Sequence, residues 1–154
     1  MYKNIFLMRH GEAGNQPGQA DFDRELTEKG IREVKTAFHS FLDEQIAPGL
    51  FLVSPVWRAQ MTWQVIKDEL MIDIPKFDCQ SLVYTSHPSA MFEEIKSWEQ
   101  QNIFLISHQP LIGDFIARYS LARHQHISVP TASIHKMNFT MENEKMKGNY
   151  LGTV

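Results

Sequence analysis

Ile5-Phe6-Leu7-Met8-Arg9-His10-Gly11 is the stretch that decides the fold. Consecutive apolar residues without alternation read as a strand buried on both faces. The run stops abruptly at an arginine, a histidine and a glycine. Two later stretches repeat the design. Leu50-Phe51-Leu52-Val53 exits into Ser54-Pro55, with Arg58 shortly beyond. Ile103-Phe104-Leu105-Ile106 exits into Ser107-His108-Gln109-Pro110. The segments between them carry helical periodicity. Ile31, Val34, Phe38, Phe41 and Leu42 share one face behind Thr27 as N-cap, and Pro48-Gly49 ends that helix. Val56, Ala59, Trp63, Ile66 and Leu70 predict a helix over 55–71, with Ser54 as N-cap and Pro55 in its first turn. Met91, Phe92, Ile95 and Trp98 predict another, opening near Pro88-Ser89. Leu111, Ile112, Phe115, Ile116 and Tyr119 predict a last one after Pro110, again read as a first-turn proline. Residues 11–25 read as loop, and 72–87 as irregular with a short strand around Phe77 to Val83. Beyond the polar stretch Ser120 to Ala132, His135, Met137, Phe139 and Met141 alternate. With the turn Glu142-Asn143-Glu144 and the run to Val154, they predict an antiparallel hairpin.

Strands alternating with helices predict an α/β fold. The expectation is a single three-layer domain over 1–154, a mostly parallel sheet flanked by helices, with the antiparallel C-terminal hairpin at one edge. A chain of 154 residues is one domain's worth, and 43% hydrophobic with 21% charged residues is a globular balance. Fifteen Lys and Arg against eighteen Asp and Glu give a net charge of −3, which weighs against nucleic acid as a partner. Any anion site must then be built locally. One cysteine, Cys79, allows neither an internal disulfide nor a cysteine-rich zinc site and fits a reducing compartment. The apolar run at the N-terminus is too short for the core of a signal peptide. No segment approaches the roughly 20 apolar residues of a membrane span. A cytoplasmic protein with no membrane partner is expected.

In open α/β sheets ligands bind beyond the carboxyl ends of the strands. If the strands are parallel neighbours, their exits bring Arg9, His10, Arg58 and His108 to one rim, beside helix N-termini. Such a rim suits a doubly charged anion with several oxygens, such as a phosphoryl group, because a guanidinium can grip two oxygens at once. The histidines add the means of reaction. Like charge from the arginines disfavours a protonated imidazole, and an unprotonated one is a nucleophile. His10 is the candidate nucleophile, Gly11 would let phosphate approach the backbone, and His108 would donate to the phosphoryl oxygens, as a cation once the dianion is bound. Phosphoryl transfer depends on in-line positioning and on spreading charge, which these groups could supply without metal or cofactor.

The same residues carry a family resemblance. Met8-Arg9-His10-Gly11 resembles the Arg-His-Gly signature of the histidine phosphatase superfamily. Arg24-Glu25-Leu26-Thr27-Glu28-Lys29-Gly30 resembles its Leu-Thr-x-x-Gly helix start. Val53 to Thr62 resembles its Ser-Pro-x-x-Arg-Ala-x-x-Thr stretch, and Ile106 to Gly113 its second-histidine motif. Order and spacing are most similar to the short bacterial phosphohistidine phosphatases of the SixA type. The resemblance implies that His10 accepts the phosphoryl group and water hydrolyses the phosphoenzyme. It implies that Arg9, Arg58 and His108 hold the phosphoryl oxygens, joined by Arg24. The short segment Ile72 to His87 leaves no room for the helical lid of larger members, which implies a shallow, open pocket suited to a phosphorylated side chain on another protein. A histidine phosphotransfer domain is one such partner.

Ester phosphatases and mutases of the superfamily protonate the leaving alkoxide with a carboxylic acid. Gln80-Ser81-Leu82-Val83-Tyr84-Thr85, the matching stretch, has none, although Asp78 or Glu12 could substitute. General acid help is worth about 10²–10⁴-fold, and an imidazole leaves far more easily than an alkoxide. The chain is therefore expected to be a metal-independent phosphatase acting on phosphohistidine in a signalling protein. The alternatives are a small-molecule phosphomonoesterase or mutase of the same superfamily, and a non-catalytic phosphate-binding module. Elsewhere His124-Gln125-His126 reads as surface histidines rather than a metal pair, His135 as a packed histidine, and Glu93-Glu94 as a solvated helix face. Trp57 follows the proline that opens a helix at the pocket rim and reads either as a partner contact or as core or rim packing, and His39 and His87 have no evident partner.

Overall fold

The computed structural model describes residues 2–122, 127–142 and 145–154. Along the chain run β1 (Tyr2–Arg9), α1 (Glu28–Leu42), β2 (Leu50–Val53), α2 (Trp57–Glu69), β3 (Lys76–Asp78), α3 (Pro88–Ser97), β4 (Asn102–Ser107), α4 (Leu111–Tyr119), β5 (Ile134–Glu142) and β6 (Lys145–Thr153). They build one sheet of order β3-β2-β4-β1-β5-β6. The first four strands are parallel; β5 runs antiparallel to β1, and β6 to β5. This is the expected α/β fold with its antiparallel edge hairpin.

The continuous apolar runs follow from the layers. Phe6, Met8, Phe51, Val53, Phe104 and Ile106 face α1 and α2, where they meet Val34, Phe38, Phe41, Trp63 and Ile66. Their strand neighbours Ile5, Leu7, Leu50, Leu52, Ile103 and Leu105 face α3 and α4, against Met91, Ile95, Ile112 and Phe115. Both faces are dry, so alternation disappears. Phe104 sits where the rings converge, with its centroid 5.0 Å from those of Phe41 and Phe51. Each such buried side chain contributes about 1.5–3 kcal/mol.

Several boundaries differ from expectation. β1 starts at Tyr2, because it pairs with β5 as far as Thr140. Lys3 is buried there with its ammonium on the carbonyls of Trp98 and Gln100, so a polar letter hides a core position. β3 stops at Asp78, opposite Val53, where β2 itself ends; Gln80–Leu82 form a 3-10 turn instead. Thr27 does cap α1, accepting from the Gly30 N–H at 3.0 Å. Ser54 does not cap α2: the N-cap is Val56, and Ser54-Pro55 precede the helix. Pro110 is the N-cap of α4 rather than a first-turn residue. Pro88 does open α3, behind His87, whose ring nitrogen accepts from the Ser89 N–H. Met141 is exposed, since β1 no longer accompanies β5 at that point. Glu94 receives bonds from Trp98 and Ser81 rather than lying wholly in solvent. Asn143, Glu144 and the pair His124 and His126 lie outside the described residues. No described helix is long and apolar enough to cross a membrane.

α1 leaves β1 onto one face of the sheet, and α4 leaves neighbouring β4 onto the other. The chain therefore diverges between β1 and β4, which opens a crevice at their carboxyl ends.

Candidate active site

Strand pairing decides which exits meet. β1 and β4 run in register to Arg9 opposite Ser107, and the His10 N–H donates to the Ser107 carbonyl at 3.1 Å. On the other side of β4, the Ser54 N–H donates to the Ile106 carbonyl at 3.0 Å. The rim thus carries His10, Ser54 and His108 from adjacent strands. The first turn of α2 adds Arg58. The imidazoles of His10 and His108 lie 5.2 Å apart between centroids.

Hydrogen bonds fix the state of His10. Its Nδ1 lies 2.7 Å from the Gly11 carbonyl, which can only accept, so Nδ1 carries the proton. Nε2 then holds the lone pair and accepts from Nε of Arg58 at 3.2 Å. Burial, more than the neighbouring cations, disfavours a charged ring. Against the opposing pull of the Gly11 carbonyl, burial and then Arg58, Arg9 and Arg24 lower the pKa to about 4. His10 is therefore a neutral imidazole at neutral pH, with its lone pair on Nε2. His108 is lowered further, to about 2, by burial, by His10 and by Arg58. Its Nε2 is 2.7 Å from Oγ of Ser54, while its Nδ1 is buried and has no partner among the described residues.

The cations are held differently from one another. Arg58 is 5% exposed. Besides His10 it donates to the Asp21 carbonyl at 2.8 Å and the Asp21 carboxylate at 3.3 Å. Arg9 donates to the Val129 carbonyl at 2.9 Å and buries an Nε without a partner among the described residues; its charge reaches both histidines. Arg24 spends its donors on the loop: Gly14 and Ala13 carbonyls and the Asp21 carboxylate. Its charge is felt at His10, but its hydrogen bonds brace residues 13–24. Gly11 gives its N–H to Oγ1 of Thr62, which in turn donates to the Arg58 carbonyl. A Cβ on Gly11 would lie 2.6 Å from the Gly30 carbonyl, so the glycine serves close packing of the loop on α1.

Two neighbours had no signal in the sequence pattern. Asp21, in the 3-10 turn Asp21–Asp23, bridges Arg58 and Arg24. Tyr84 turns its ring edge to His108 at 5.6 Å and stacks 5.5 Å under the Arg58 guanidinium. Both lie in connections without periodicity. Between α2 and α3 the chain forms only β3 and a 3-10 turn, yet Tyr84 from this connection and Asp21 from the one between β1 and α1 flank the rim, and His10 is just 6% exposed.

Glu12 and Asp78, the two carboxyls that could stand in as a proton donor, and Asp21 beside Arg58 are each held below the usual carboxylate range. Glu12 is lowered by bonds from Lys29 and Thr27. Partial burial raises Asp21 and Asp78, but the bonds and charges of Arg24 and Arg58 at Asp21, and of Lys76 and Gln60 at Asp78, outweigh it. Among the described residues, no group of three or more His, Cys, Asp and Glu could hold a metal ion.

Residues 5–78 match the model of the histidine phosphatase superfamily, branch 1. A phosphohistidine phosphatase SixA homolog of Haemophilus influenzae is 28% identical over 130 residues, covering 74% of this chain and 75% of that one. Among solved structures, the protein histidine phosphatase SixA complexed with tungstate has a TM-score of 0.84 at 23% identity, covering 98% of this chain and 96% of that one. A mycobacterial glucosyl-3-phosphoglycerate phosphatase has a TM-score of 0.69 at 14% identity, over 99% and 98%. The fold is thus shared across phosphatases of unlike substrates. Residues 5–78, which carry the motif on the rim where the strands converge, are thus similar in sequence to branch 1 of the histidine phosphatase superfamily, and the chain as a whole is similar to SixA phosphatases in sequence and fold.

Proposed function

We propose that this phosphatase removes the phosphoryl group from a phosphorylated histidine on a partner protein. Nε2 of His10 attacks phosphorus in line, and the N–P bond of the substrate breaks. The leaving imidazole takes the electron pair and a proton from solvent. Water then attacks the phosphohistidine on residue 10 and releases inorganic phosphate. Arg9, Arg58 and the N–H of His108 neutralise the equatorial oxygens, Arg24 adds charge from the loop, and no metal takes part.

The observation that carries this reading is the state of the carboxyls. Glu12, Asp21 and Asp78 are each held below their ordinary pKa by cations or donors, so none is kept protonated to assist an alkoxide. An imidazole leaving group needs no such acid. A histidine phosphotransfer domain would present its phosphoimidazole in the required way, which would place the enzyme in signalling.

The test is a parallel assay on a phosphohistidine protein and on small phosphate esters. The expected result is kcat/KM at least about 100-fold higher for phosphohistidine, the scale of a missing general acid. Comparable turnover of an ester, abolished by Asp78→Asn or Glu12→Gln, would favour the phosphomonoesterase reading. Phosphate binding without turnover of either substrate would favour the binding module.

A further inference from the structure

We infer that Ser54 is a positioning residue that sets the tautomer of His108, so that Nδ1 of His108 presents its proton to a phosphoryl oxygen; this rests on the phosphoryl site proposed above. Ser54 is fully buried at the exit of β2. Its hydroxyl oxygen accepts from the Val56 N–H at 3.4 Å and lies 2.7 Å from Nε2 of His108. A hydroxyl has one proton to give, and among the described residues Nε2 of His108 is the acceptor within reach of Oγ. With Ser54 donating, Nε2 is the unprotonated nitrogen and Nδ1 bears the hydrogen.

That Nδ1 is buried and has no partner among the described residues. A buried N–H without an acceptor is costly, on the order of 1–3 kcal/mol, and calls for an explanation. Nε of Arg9, whose charge reaches His108, is a second buried donor in the same position. Two unmatched buried donors, one on a ring 5.2 Å from that of His10 and one on an arginine whose charge reaches it, are what a tetrahedral oxyanion would satisfy. The opposite tautomer would leave a lone pair on Nδ1 facing the anion, which is repulsive. Through Ser54, His108 therefore acts as a neutral donor and need not be protonated first. The register of β2 on β4, Val53 opposite Ile106, brings Ser54 and His108 together. This gives the serine in the Ser54-Pro55 pair a role that capping does not supply.

The experiment is nitrogen-15 NMR of the histidine rings in the full chain, with kinetics on phosphohistidine protein. In the wild type, His108 should show Nδ1 protonated and Nε2 bare at pH 7. Ser54→Ala should shift the ring toward the other tautomer or a mixture and lower kcat about tenfold, with a smaller change in KM. Ser54→Thr, which keeps the hydroxyl, should restore both. A wild-type ring protonated at Nε2 would overturn the inference, as would unchanged kcat in a folded Ser54→Ala enzyme. Should Ser54→Ala fail to fold, the wild-type spectrum alone decides. His108→Ala separates the two layers. If it leaves turnover intact, the site proposal itself fails; if it cuts turnover while Ser54→Ala does not, only the role of Ser54 is lost.

Discussion

Asp21 places a carboxylate on the same Arg58 edge that a phosphoryl group would use, at 3.3 Å, and on Arg24 at 3.2 Å. It is half exposed, so the pairing is worth about 0.2–1 kcal/mol. Asp21→Asn is expected to tighten tungstate or phosphate binding by about two- to fivefold, measured by calorimetry; weaker binding would mean that Asp21 organises the arginines instead of competing for them. Arg58→Ala should weaken the same binding by more than about tenfold and also free Nε2 of His10 from its donor. At this scale the sequence is unevenly legible. Arg9, His10, Arg58 and His108 can be named because each stands at a strand exit or a helix start. Asp21 and Tyr84 cannot, because a loop and a 3-10 turn carry no period that says which way a side chain faces. Ser54 stands out in the sequence but reads as a cap, since the same hydroxyl chemistry serves an N-cap and a buried histidine equally well.

The pairings that build the rim belong to the level of strands and helices. A one-residue slip of β4 against β1 would turn His108 to the other face of the sheet. The apolar runs identify these strands but not their order, for runs dry on both faces give no clue to their neighbours. The rim also depends on how closely the loop after β1 lies on α1. A Cβ on Gly30 would sit 2.1 Å from the Glu12 carbonyl, two residues past His10. Gly30→Ala should therefore cost about 3 kcal/mol, read as a lower urea midpoint, and should reduce turnover in the fraction that folds. Equal stability would show that the loop can retreat without loss. Gly14 offers a control elsewhere in the same loop: a Cβ there would meet nothing nearer than 3.9 Å.

For the molecule as a whole, burying two neutral imidazoles makes stability depend on pH. The folded pKa values of His10 and His108, about 4 and about 2, lie below the ordinary 6.5. The unfolded chain therefore binds more protons in acid, and this contribution is complete above pH 6.5 and is lost as pH falls, toward 4 for His10 and toward 2 for His108. Between pH 7 and 5 the loss is on the order of 2 kcal/mol per ring. Urea titrations should show it, and a His10→Asn, His108→Asn double variant should have a flatter acid limb; an identical slope would mean the rings are already protonated in the native state. The α/β class, the three layers and the edge hairpin can be read from period alone, whereas the convergence of the exits requires the order β2-β4-β1. The central claim is that this convergence makes Nε2 of His10 a phosphoryl acceptor. It is tested most directly by quenching the enzyme during turnover of radiolabelled phosphohistidine protein and mapping the label by peptide. The account predicts acid-labile, base-stable phosphate on residue 10, absent from His10→Ala. Turnover that continues in His10→Ala, or label on any other residue, would contradict it.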